Sequence, residues 1–253
     1  TQSGPKGIPY LMAQLWKGGR MVNCTKSMLF STEMVQALLE GRKSVTRRHP
    51  FQMPEDYNML KGLYRNDNGR LCALFQCQSD PTTEAVYCRY DQGVILWVRE
   101  PWQFIPCSDC QMKQKGICSE KPTTYRSRNF SGEGCFVYRA DYPERGSIKW
   151  RPSIHMPREA ARIFLRVTEV HVERLRDITE QGAEKEGVVK IRDHEYMGLN
   201  RSFYSPVAAF HNLWDGLIDL FNLSRYGWEA NPWVWVISFE RIDKPTDWGC
   251  TKS

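Results

Sequence analysis

The chain has 253 residues, 41% hydrophobic and 12% aromatic, which makes it a folded globular protein and excludes a disordered tail. A formal charge of +6 and a pI near 8.8 suit an anionic partner without demanding one. No apolar run approaches the roughly 20 residues that cross a bilayer, so a membrane-spanning segment is not expected.

Residues 1–26 show little periodicity, are broken by Gly18-Gly19, and read as an extension. Their Ile8-to-Trp16 patch is short and flanked by Lys6 and Lys17, with no small-residue cleavage pattern. A cytoplasmic location is therefore expected. One domain is read over 27–242, with 243–253 as a tail.

A short strand, Ser27 to Phe30, leads to Ser31, a helix cap. Met34, Val35, Leu38 and Leu39 then recur at helical spacing, and Gly41 stands where a helix stops. From Gly41 to Arg48 the sequence Gly-Arg-Lys-Ser-Val-Thr-Arg-Arg opens a basic strand. Further strands are expected at 71–77, 85–89 and 94–99. Residues 103–134 are polar and read as an insertion, after which strand character returns at 135–140. The β-branched run 162–175 predicts one or two bent strands.

Thr179 caps a short helix within 178–186, and Ser205-Pro206 opens the clearest helix. Its apolar face is Val207, Phe210, Leu213, Trp214, Leu217 and Phe221. A buried strand, 233–242, follows. The pattern is α+β and mainly β: a small β-barrel with flanking helices and a cysteine-containing insertion.

Several motifs in order resemble the ASCH domain of the PUA-like β-barrel group. They are the helix followed by Gly41 to Arg48, then Leu96-Trp97-Val98-Arg99-Glu100-Pro101-Trp102. Trp150 to Arg158, Glu173-Arg174-Leu175, Ala183 to Gly187 and Asn231 to Val236 are similar to the larger ASCH proteins of phages and prophages. The likeness covers about 27–102 and 135–242. It implies a barrel whose cleft binds RNA or a modified nucleoside, with DNA left open as a partner. It also implies the host cytoplasm as location if a phage encodes the chain.

Small bacterial ASCH enzymes are amidohydrolases that remove the acetyl group of N4-acetylcytidine. Their Gly-Arg-Lys-x-x-Thr arrangement falls here on Lys43 and Thr46, and their Ala-Glu-x-Glu motif on Glu186. Other members have been assigned ribonuclease activity.

Amide hydrolysis needs a nucleophile, a base and an acid for the leaving amine. Lys43, crowded by Arg42, Arg47 and Arg48, is under like-charge pressure to lose its proton and activate Thr46. Glu186 would pass a proton to the amine, and no cofactor is required. On a regular strand, positions three apart face opposite ways, so Lys43 and Thr46 converge only if the junction bulges or turns. The competing reading is a strand-forming Thr beside a solvated basic run.

Arg47, Arg48, Arg151, His155 and Arg158 are the candidates for phosphate contacts, with Trp102 and Trp150 as stacking surfaces. Equally, the tryptophans belong to the core and the arginines pair with acids. Arg99 and Glu100 end a strand that would line the cleft, where Glu100 would meet a base edge, orient Lys43 or simply form a salt bridge.

The chain has nine cysteines, an odd number that fits reduced thiols better than a disulfide framework. Cys72, Cys77 and Cys88 fall in strands and read as core. The insertion carries Cys107-x2-Cys110-x7-Cys118, with Cys135 beyond it. Cys-x2-Cys is half of a tetrahedral zinc site, so these four are candidate ligands of a structural zinc. An iron–sulfur cluster and plain thiols are the alternatives. Three functions thus stand side by side: an amidohydrolase, a binding module for RNA or a modified base, and a ribonuclease.

Overall fold

The computed structural model describes residues 25–49, 57–67, 69–116, 118–127, 130–142 and 148–246. Of the expected N-terminal extension, 1–24 lies outside the described residues, and Thr25 and Lys26 are already strand.

In chain order the elements begin with β1 (Thr25–Leu29), α1 (Thr32–Leu39), β2 (Val45–Arg48), β3 (Tyr57–Arg65), β4 (Leu71–Cys77), β5 (Thr83–Tyr87) and β6 (Ile95–Arg99). β7 (Trp102–Pro106), α2 (Gln111–Gln114), β8 (Thr123–Ser127) and β9 (Phe130–Tyr138) follow. The rest comprises β10 (Phe164–Arg174), α3 (Glu180–Lys185), β11 (Val189–Arg192), β12 (Glu195–Met197), β13 (Ser202–Phe203), α4 (Pro206–Asp215), α5 (Leu223–Tyr226) and β14 (Trp233–Ile242).

The central sheet runs β1-β6-β10-β14-β2, and three smaller sheets, β3-β4-β5, β7-β9-β8 and β11-β12-β13, surround it. β1 and β6 are parallel; the other pairs in the central sheet are antiparallel. Alternate side chains of this sheet enter two cores. Leu96, Leu165, Ile237 and Phe239 meet Val35 and Leu38 of α1 and Phe75 of β4. On the opposite face, Val45, Val234 and Val236 meet Ala183 of α3 and Phe210 and Trp214 of α4.

The protein is therefore α+β and mainly β, as the periodicity implies. No hydrogen-bond ladder closes a barrel among the described residues. Instead the two edge strands are joined by a side chain, with Arg48 Nη2 of β2 donating to the Leu29 carbonyl of β1 at 2.7 Å.

The 103–134 stretch forms most of the β7-β9-β8 sheet, so it is an ordered layer and not a bare polar loop. Its apolar face packs Phe104, Tyr125, Phe130 and Phe136 around Trp102 and Met156. The strand expected at 135–140 is the second half of β9. Helix α4 stops at Gly216, leaving Leu217 and Phe221 outside it at 56% and 93% exposure, contrary to their placement on its apolar face.

Candidate active site

The site is made where α1 hands over to β2. Gly41, with φ of +75°, ends the helix in the left-handed region that glycine tolerates. Residues 42–44 then turn without strand pairing. The Lys43 N–H donates to Ala37 O at 3.0 Å and the Ser44 N–H to Lys185 O at 2.9 Å. The junction is thus irregular, as convergence of Lys43 with the strand that follows requires.

Helix α3 delivers the opposing carboxylate. Thr179 caps it by accepting the Gly182 N–H at 3.0 Å, and Glu186 is its C-terminal cap, just before Gly187. Gly187 has φ of +96°, and a Cβ there would lie 2.7 Å from Ala37 Cβ and 3.1 Å from Lys43 Cβ. Only glycine lets the chain leave α3 so close to α1.

Glu186 then saturates the junction. Its Oε2 accepts from Lys43 Nζ at 2.6 Å, and its carbonyl accepts from the same ammonium at 2.8 Å. Its Oε1 accepts from the Arg47 backbone N–H at 2.6 Å and from Arg47 Nη1 at 3.1 Å. The Lys43 and Glu186 side chains are 0% and 5% exposed. Burial pushes the Lys43 ammonium below its ordinary range; Glu186 pulls it back up, and Arg48 and Arg47 add to the downward push.

Thr46 is 1% exposed, and its hydroxyl bonds to no described residue. It pairs with Ile237 while Arg47 pairs with Val236, so the two side chains leave opposite faces of β2. Arg47 is 7% exposed and reaches Glu173 at 2.7 Å beneath the Phe210 ring. Burial would raise the Glu173 carboxyl, but hydrogen bonds from His171 and the charge of Arg47 outweigh it and hold the pKa low. The single guanidinium charge of Arg47 is thus shared between Glu173 and Glu186 inside the protein, and it is not the phosphate contact expected of it.

On the other side of β2, Arg48 lies over the Phe30 ring at 5.2 Å. Its Nε is buried without a partner, as is the Nε of Arg99. Arg99 donates to the Ile154 carbonyl, and Leu29 pairs with Arg99 in the β1–β6 register. Arg48 and Arg99 therefore both touch the end of β1.

Two expected cleft residues belong elsewhere. Glu100 is 0% exposed and grips Arg162 with both oxygens at 2.9 Å, so it meets neither a base edge nor Lys43. Burial raises its pKa against the pull of Arg162. Trp102 is 1% exposed within the β7-β9-β8 core and offers no stacking surface.

Arg151 lies over the Trp102 ring at 5.3 Å and is exposed, as is His155, while Arg158 donates to Thr25 Oγ1 at 3.1 Å. Arg151 thus lies against β7 and Arg158 against β1, and neither touches the Lys43–Glu186 pair. Glu173 and His171 escaped the list of candidate residues. Their signal was the alternation His171-x-Glu173, which puts both on the face of β10 that Arg47 looks across.

Cys72, Cys77 and Cys88 are buried as expected, and burial foremost pushes the Cys88 thiol up to about 11. Cys107, Cys110, Cys118 and Cys135 are half-buried around one end of the β7-β9-β8 sheet. Among the described residues no three His, Cys, Asp or Glu side chains are gathered at metal-binding geometry. No described helix is long and apolar enough to cross a membrane.

Compared with protein-family models, curated proteins and solved structures, the chain finds no match in any of the three.

Proposed function

We propose that the chain is a hydrolase of N4-acylated cytidine, an ASCH-type protein on a PUA-like barrel, with Lys43, Thr46 and Glu186 as its machinery. The observation that supports this most is the Lys43–Glu186 pair, sealed at 0% and 5% side-chain exposure at the junction that leads into the buried Thr46. A lysine whose pKa burial lowers is the base a threonine nucleophile needs. The curl that lets Arg48 join the edge strands fits a barrel with its opening at that seam.

In this reading uncharged Lys43 takes the Thr46 proton as Oγ1 attacks the acyl carbon. The C–N bond then breaks, and the proton passes through Lys43 and Glu186 to the leaving N4 amine. Water next attacks the Thr46 ester, giving its proton back by the same route and releasing the carboxylic acid. Each proton-transfer role contributes about 10²–10⁴-fold.

A second reading, a binding module for RNA or a modified base, is favoured by the paired unsatisfied Nε atoms of Arg48 and Arg99. Both are donors without protein acceptors, which a phosphate oxygen could satisfy if the side chains move outward.

The test is chromatographic. The purified chain and its Lys43→Ala variant are incubated with N4-acetylcytidine, and cytidine is measured. Cytidine from the parent protein alone supports the hydrolase. No cytidine from either, with RNA retained in a salt-dependent manner through Arg48 and Arg99, supports the binding module. Shortened RNA would instead identify a ribonuclease.

A further inference from the structure

We propose that Cys107, Cys110, Cys118 and Cys135 hold one structural zinc ion, which locks the β7-β9-β8 layer. The register brings their backbones to one end of that sheet. Ile105 pairs with Cys135, and the Cys107 N–H extends the ladder by donating to Glu133 O at 2.9 Å. Cys107 and Cys135 therefore lie on the same sheet face as diagonal neighbours, opposite the face that carries Phe104 and Phe136.

After Cys107 the chain doubles back, with the Cys110 N–H approaching the Cys107 carbonyl at 3.4 Å and Gln114 N–H donating to Cys110 O at 3.0 Å. This tight turn brings the Cys110 backbone back beside Cys107, in the Cys-x2-Cys spacing of half a tetrahedral zinc site. Cys118 arrives five residues before Thr123, which pairs with Gly134 beside Cys135.

A second observation asks for something to hold this segment. Helix α2 has four residues, buries none of them, and its cap residue Cys110 makes no side-chain capping bond. So short a helix does not persist in water unaided. With none of its residues buried, a metal held by the thiols that flank it would supply the anchor. Thiolates without hard oxygen ligands favour zinc among the common divalent ions. Binding would draw the sulfurs from their present spacing to about 2.3 Å from the metal and release the thiol protons.

The test uses the full chain, purified reduced, with zinc content measured and cobalt added as a spectroscopic probe. About one zinc per chain is expected, with a thiolate-to-cobalt absorption band that zinc abolishes. Cys118→Ser and Cys135→Ser should each lose the band. To keep the test independent of folding in the variants, the parent protein is also alkylated with and without zinc, and zinc should protect four thiols. The proposal is overturned if the reduced parent protein takes no zinc, if both variants bind it as well as the parent, or if protection falls on other cysteines. Bound iron with labile sulfide would also overturn it, in favour of a cluster.

Discussion

At Lys43 and Glu186 two charges are withdrawn from water and satisfy each other at 2.6 Å. Removing one partner of a buried pair leaves the other charge stranded, which costs about 3–5 kcal/mol. Lys43→Met and Glu186→Gln should each lower stability by that order in denaturant titrations, and the double variant should lose much less than the sum. A surface pair such as Arg166–Glu240 would show no such coupling.

The same burial sets a pH dependence. Lys43 is held below the ordinary 10.5, so kcat/KM for the acylated nucleoside should rise with pH through a titration below that value. Thr46→Val should abolish turnover by at least about 10²-fold while preserving the melt, since the hydroxyl it removes bonds to nothing in the protein. A variant with full turnover would remove Thr46 from the mechanism.

At the scale of elements, much was legible because local chemistry decided it. Ser31 accepts the Met34 N–H at 3.3 Å, Thr179 caps α3, and Pro206 opens α4, each as its residue type dictates. Strand β14 was equally plain from its apolar run. What escaped notice were strands whose residues carry no clear alternation. β3 is an edge strand interrupted at Gly62 with two register shifts, and β11 is exposed throughout. Both exist because a neighbour pairs with them.

Of the candidate residues, Lys43 and Glu186 meet in the fold, since Gly41 and Gly187 impose the local turns. The fates of Glu100 and Trp102 depended on Arg162 and the aromatic layer, which lie far away in sequence. Gly187 offers the sharpest test of how elements meet. Gly187→Ala would combine an unfavourable φ with a 2.7 Å contact on Ala37, and should cost about 1–3 kcal/mol. Hydrolysis should fall with it, because Lys43 lies on the other side of the same contact.

For the whole molecule, stability should be lost in acid through His49. Burial foremost, then Arg225, holds its folded pKa at about 4 against an ordinary 6.5. Between those values the unfolded chain binds a proton that the folded chain refuses, so stability falls as pH drops from 6.5 to about 4. His49→Gln should flatten that slope in melts taken across the window. Lys43 acts with the same sign at the alkaline end, where stability should rise as pH climbs toward 10.5.

The sheet's unladdered seam has a consequence for colloidal behaviour. β2 pairs with β14 on one side only, and the outward Arg47 N–H is taken by the Glu186 carboxylate. An open strand edge is a template on which a second chain adds. Glu186 is thus a stopper at that edge, and Glu186→Ala should make the protein self-associate. Light scattering at rising concentration would then register oligomers that the parent protein does not form.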